Sequence, residues 1–188
     1  WTGSTYKNDF FGFSITVPES WHIFGKEKMK TLIQEGMKKT QDANLVNEIE
    51  MKKMAKSAEI TSASLFLVIR YLNEEVIEKK VSNSSITLGA ENLSLPGKKI
   101  DRAKYVDLFR QNLAKAMPGA VIKTETSKML GGREFTSLNI EYERHGIHIY
   151  EEYLICLKND FAVLFSLTWT DDSDKKQLDA VMETLAWK

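Results

Sequence analysis

Hydrophobic and polar positions follow two periods along this chain. Phe13, Ile15 and Val17 alternate with Ser14 and Thr16, the period of a half-buried strand. Pro18 ends that strand by withholding a ladder donor, and Glu19-Ser20 turns the chain into Trp21. From Lys26 to Lys39 the period changes. Met29, Leu32, Ile33 and Met37 fall on one face of a helix that Gly36 weakens by about 1 kcal/mol relative to Ala. Asp42 is a cap for a second helix running to about Ser57, with Leu45, Val46, Ile49 and Met54 on its buried face. Ser64 to Leu72 is apolar at both parities, with Leu65, Leu67 and Ile69 opposed to Phe66, Val68 and Leu72, so it reads as a strand covered on both faces.

The second half has sharper punctuation. Ile86 to Leu93 predicts a short strand ended by Pro96-Gly97. Asp101 caps a helix whose stripe is Tyr105, Leu108, Phe109, Leu113 and Met117, stopped by Pro118-Gly119. Four strand-like runs follow: Ala120 to Lys128, Arg133 to Glu143, Ile147 to Leu157 and Phe161 to Trp169. Gly131-Gly132, His145-Gly146 and Asn159-Asp160 join them as hairpin turns. Asp171 or Asp172 caps a last helix with Leu178, Val181, Met182 and Leu185 on one face, and Trp187 lies near its end. Strands and helices do not alternate regularly, which argues against a doubly wound parallel sheet. The fold class expected is α+β, a single antiparallel sheet covered by helices on both faces. Residues 1–5 read as a polar leader and residues 6–188 as one domain, with residues 26–57 as a helical elaboration.

Composition sharpens this picture in three ways. The 188 residues are 43% hydrophobic, enough for one core. Lys plus Arg and Asp plus Glu are both 26, so no net field draws in nucleic acid or an anionic membrane, and little keeps copies apart. A monomer or weak dimer is expected. No apolar run approaches the roughly 20 residues of a spanning helix. Cys156 is the one cysteine, which excludes an intramolecular disulfide and a thiolate cluster, and its apolar neighbours predict an inert buried thiol. The chain starts at Trp1 without an initiator Met, which suggests a processed form whose targeting segment lay upstream.

Three features in this order resemble the PsbP-like proteins. The first is Tyr6-Lys7-Asn8, then Phe11-Gly12-Phe13-Ser14-Ile15, then Val17-Pro18-Glu19-Ser20-Trp21. The second is the hairpin of Tyr150 to Leu157 and Phe161 to Thr168, and the third is the C-terminal amphipathic helix ending near Leu185. That fold is shared by the lumenal photosystem II subunit PsbP and the nuclear Ran-binding factor Mog, and many bacterial members are exported lipoproteins. The resemblance implies an α/β/α sandwich, binding rather than catalysis, an extracytoplasmic location, and a lipid tether upstream of Trp1. The helical stretch from Lys26 to Ser57 is long for the first connection in that family.

The candidate chemistry is sparse. His148 with Glu141, Glu143, Glu151 and Glu152 is the one cluster that suggests a small enzyme or a metal site, but solvated cross-strand charge pairs are the favoured account of it. Ser20 lies close to His22, yet there is no Gly-x-Ser-x-Gly elbow. Gly131-Gly132-Arg133 has neither the spacing nor the following helix of a phosphate loop. Trp21 and Trp169 are expected to be buried. Residues 26–57 hold four of the seven methionines, and eight lysines against five acidic residues. Methionine adapts to different partner shapes, so Met29, Met37, Lys38, Lys39, Met51, Lys52, Lys53 and Met54 form the candidate partner surface. The leading expectation is a non-catalytic extracytoplasmic binding or accessory lipoprotein with a protein partner, no cofactor and no metal. An intracellular interaction module of the same fold and a small enzyme built on His148 are the alternatives.

Overall fold

The computed structural model describes residues 1–31, 62–72, 75–76, 83–94, 100–144 and 146–188. The described strands form two antiparallel sheets rather than the single sheet expected. In the small sheet, β1 (Thr5–Asn8) pairs with β2 (Phe13–Thr16), and β2 pairs with β10 (Ala186–Trp187). The large sheet has seven strands in the order β3 (His22–Gly25), β4 (Ser62–Ile69), β5 (Ser85–Asn92), β9 (Phe161–Trp169), β8 (Ile147–Lys158), β7 (Arg133–Arg144) and β6 (Val121–Leu130). The meander β6–β9 is that read from its turns. Asn159 and Asp160 both adopt positive φ, 52° and 59°, the geometry of a tight hairpin.

Two helices complete the described elements: α1 (Arg102–Ala116) and α2 (Asp172–Glu183). Both start as the capping residues dictate. Asp101 accepts a hydrogen bond from Lys104 N, and Asp171 accepts one from Asp174 N. Residues 26–31 are also helical, which agrees with a helix starting at Lys26; its continuation and the helix expected from Asp42 lie outside the described residues.

Strand alternation sorts the core into two clusters. Val163, Phe165, Leu167 and Trp169 of β9 join the larger one, which also takes in Phe13, Ile15, Trp21 and the α2 residues Leu178, Val181 and Met182. The intervening Ala162 and Leu164 belong to the second cluster, with Ile155, Leu138 and the α1 residues Tyr105 and Val106. Successive strand residues point to opposite sides, so the two clusters lie on opposite faces of the large sheet.

Four details differ from the sequence reading. β3 is not legible in the sequence, because His22-Ile23-Phe24-Gly25 places two apolar residues side by side and shows no alternation. A register shift between Ser64 and Phe66 leaves Leu65 packed against the same cluster as Phe66, not opposed to it. In α1, Val106 is buried and Leu108 is 41% exposed, which reverses their expected places. Finally, α2 ends at Glu183, so the buried Leu185 lies beyond the helix, and Trp187 belongs to β10. Trp187 packs on Phe13 and Phe135, with the Arg133 guanidinium 4.6 Å from its ring.

Candidate functional site

A groove of about 520 Å³ runs between α1 and the end of β5. Its helix wall is Tyr105, Leu108, Phe109, Asn112, Leu113 and Ala116, at helical spacing along one flank of α1. Its other wall is Glu91, Asn92 and Leu93, with Tyr153 rising from β8 and Ile100 at the helix entrance. The rings form a continuous aromatic surface. Tyr105 and Phe109 are stacked with centroids 6.3 Å apart, and Phe109 meets Tyr153 edge-on at 5.0 Å.

Each tyrosine of the groove is oriented by a carboxylate. Tyr105 donates to Glu91 Oε2 at 2.7 Å, and Tyr153 donates to Glu151 Oε2 at 2.5 Å. Glu151 is buried and takes a second phenol, Tyr142, on Oε1 at 2.8 Å. Burial, reinforced by the hydrogen bond and charge of these carboxylates, raises the pKa of Tyr105 and Tyr153 well above the usual phenol range and pushes Tyr142 up to about 12. The three phenols therefore stay protonated, and each spends its single O–H on its carboxylate, so the Tyr105 and Tyr153 oxygens present only acceptor lone pairs to the groove. Apolar walls with a few placed polar groups suit reversible binding of a small organic molecule.

The opposite face of the sheet carries a buried ion cluster. Glu152 is 1% exposed. Its Oε1 accepts hydrogen bonds from Lys128 Nζ at 2.7 Å and Ser137 Oγ at 2.6 Å, and Lys175 Nζ of α2 lies 3.3 Å from Oε2. Burial opposes the charge, but these hydrogen bonds and the two ammonium groups outweigh it and hold the carboxyl below its ordinary value. Nearby, Asp174 of α2 binds the Arg70 guanidinium at 2.6 Å. Both clusters tie α2 to the sheet.

The histidine-centred cluster is not assembled as one site. His148 faces Glu143 in the β7–β8 register, and its Nε2 lies 3.6 Å from Glu141 Oε2. Glu141 also binds Lys123 at 2.5 Å, and that hydrogen bond leads the causes that lower its pKa. Glu151 has the opposite strand parity and lies on the groove side, and Glu152 is held by the lysines. Among the described residues, no group of three or more His, Cys, Asp or Glu is placed to hold a metal ion. His22 Nε2 lies 2.9 Å from Glu75 rather than engaging Ser20. Cys156 is buried, and burial pushes its thiol up to about 12. Trp21 and Trp169 are 5% and 8% exposed, in accord with their expected burial. Of the candidate partner surface, Met29 is buried at 9% exposure. Met37, Lys38, Lys39, Met51, Lys52, Lys53 and Met54 lie outside the described residues.

Sequence reasoning missed the groove. Tyr105, Leu108, Phe109 and Leu113 lie on one helix flank, but they read there as core stripe, and nothing in the chain pairs Glu91 with a tyrosine fourteen positions away. No described helix is long and apolar enough to cross a membrane.

No protein-family model and no curated protein matches this chain. Solved structures do. LpqN of Mycobacterium tuberculosis, described as involved in cell envelope biogenesis, is 14% identical with a TM-score of 0.49, over 98% of this chain and 84% of that one. A Pseudomonas aeruginosa protein of unknown function, a possible regulator by its description, is 18% identical with a TM-score of 0.47, over 57% of this chain and 75% of that one. The solution structure of PsbP from the cyanobacterium Synechocystis sp. PCC 6803 superposes with a TM-score of 0.58 at 9% identity, over 100% of this chain and 95% of its own. With a large antiparallel sheet, a small N-terminal sheet closed by the C-terminus, and a whole-chain superposition on cyanobacterial PsbP, this chain has the PsbP-like fold.

Proposed function

We propose that this chain is a non-catalytic accessory protein of the cell envelope, which binds a ligand or partner rather than transforming it. The observation that carries this reading is the groove beside α1: apolar and aromatic walls, the polar residues Asn92 and Asn112, and two tyrosine rings fixed in place by hydrogen bonds to carboxylates. Such a lining holds a molecule by contact area and a few hydrogen bonds. The fold shared with cyanobacterial PsbP and the description of LpqN as an envelope-biogenesis protein are consistent with an accessory role.

Three finer features belong to the same proposal. The protein is extracytoplasmic, tethered by a lipid on a cysteine upstream of Trp1. Helices cover both faces of the large sheet, in keeping with α1 and α2 joining clusters on opposite sides. A protein partner docks on residues 26–57, through Met37, Met51 and Met54 and the lysines Lys38, Lys39, Lys52 and Lys53; Met29, expected among these contacts, is buried and is not part of that surface. The test is made in the native host with the full-length precursor. Metabolic labelling with a fatty-acid analogue and fractionation should place the protein in the envelope. Charge reversal of Lys38, Lys39, Lys52 and Lys53 should remove specific co-purifying proteins while the melting temperature stays put, since surface changes usually cost within about 0.5 kcal/mol. Cytoplasmic, unlabelled protein would overturn the tether, and an unchanged partner set would overturn the docking surface.

A further inference from the structure

We propose that the groove beside α1 binds an alkylammonium amphiphile: an apolar chain along the aromatic wall with its cationic head at Glu91. This deepens the binding reading above and rests on it. The chemical class follows from the lining. Among the described residues that line the groove, Glu91 carries the one charged side chain. Tyr105 fixes that carboxylate through Oε2, and Oε1 has no hydrogen-bond partner among the described residues. A charge moved out of water needs an opposite charge or hydrogen bonds to compensate. An ammonium meets that need at Oε1 with both an opposite charge and N–H donors, whereas an anion would be repelled and a neutral hydroxylated head would supply hydrogen bonds without the charge.

None of the α1 cations, Arg102, Lys104, Arg110 and Lys115, is in the groove lining. Arg102 pairs with Glu134 at 2.7 Å, and Arg110 is held by Glu125 and by Asp107. Neither guanidinium lines the groove. The aromatic wall adds a second attraction, because the faces of Tyr and Phe rings carry negative potential that favours cations. The rest of the ligand is set by Leu108, Phe109, Leu113 and Ile100, which offer apolar surface and no hydrogen bond. Leu108 is 41% exposed at the groove wall, where a ligand chain can contact it. The volume, about 520 Å³, lies in the range of ordinary small-molecule sites and admits an eight-carbon chain with its head group.

The test uses the whole chain and three probes that share an eight-carbon tail, each below its critical micelle concentration: n-octylammonium, n-octyl glucoside and n-octanoate. Calorimetry gives the affinities, and proton NMR of the Tyr105, Phe109 and Tyr153 rings reports where the probe sits. The expected result is ring shifts with octylammonium, bound about fivefold or more tighter than octyl glucoside, with octanoate weakest. Glu91→Gln should erase that preference while octyl glucoside binding stays. Glu91 is at the surface, so the variant should melt like the parent. Leu108→Lys provides an independent second test, because a cation on the wall should weaken octylammonium and strengthen octanoate. Octanoate or octyl glucoside binding at least as tightly as octylammonium would overturn the ammonium class while leaving the groove as a binding site. So would a preference that survives Glu91→Gln. Failure of all three probes to shift the rings would overturn the groove reading together with this proposal.

Discussion

Gly131 shows how a single position can join distant parts of this fold. It sits at φ 56° in the β6–β7 turn, and a Cβ there would overlap the Leu185 carbonyl as well as crowd the Trp187 ring. Gly132, at φ 82°, has open space around its missing Cβ. Gly132→Ala should therefore cost only the left-handed strain, about 1–2 kcal/mol, whereas Gly131→Ala should cost clearly more and loosen the C-terminal strand. Thermal melts of the two variants side by side check this, and equal losses would mean that the close approach is relieved at no cost. Glu152 makes a second residue-scale case. Its folded pKa is lowered, so the stability it contributes is present above the ordinary carboxylate range and lost as pH falls through the lowered value. Glu152→Gln should cost about 1–3 kcal/mol near neutral pH and should flatten the loss of stability on acidification below about pH 4.5. Urea unfolding at a series of pH values measures both. A variant whose pH profile matched the parent's would show that other carboxylates dominate.

Among the elements, β9 is the one whose sequence pattern and structural role agree most closely. Phe161, Val163, Phe165, Leu167 and Trp169 share one parity, and all five contact the larger cluster. Phe165 is fully buried and touches Phe13 of the small sheet and Phe135 of β7. Phe165→Ala should cost about 3–5 kcal/mol, seen as a shift of the urea midpoint, and a parent-like midpoint would contradict the packing described. β3 and β10 are the opposite kind of element. His22–Gly25 shows no alternation and Ala186–Trp187 is too short to show any, and both exist because β4 and β2 offer them open edges. Helix α1 lies between these cases: the Asp101 cap and the Tyr105–Phe109–Leu113 spacing predict its extent well. Its rotation about its axis, which buries Val106 and exposes Leu108, depends on the sheet it meets.

Across the whole molecule the large sheet separates two environments. On one face α2 is fixed by the Glu152 and Asp174 ion pairs and a deep apolar cluster. On the other, α1 packs through the smaller cluster and leaves the groove beside it. The stiffly held face is suited to stability and the incompletely filled one to binding, which is why the ligand proposal belongs to α1. The host experiment with reversed lysines tests a partner on residues 26–57 independently of the amphiphile titrations.

The sequence alone determined what local chemistry enforces. Period-two alternation set the strands of the meander, Gly131-Gly132 and Asn159-Asp160 set two of its turns, and Asp101 and Asp171 set the helix starts. Apolar surroundings also made a buried, inert Cys156 legible in advance. The tertiary structure decided what depends on residues far apart in the chain. It paired the C-terminal Ala186–Trp187 with β2, it bound Glu152 to Lys128 and Lys175, and it brought Glu91 to Tyr105 and Tyr153 to Phe109. The reason is physical: alternation, caps and turns act over a few residues, whereas a groove exists only where two elements meet and leave space between them.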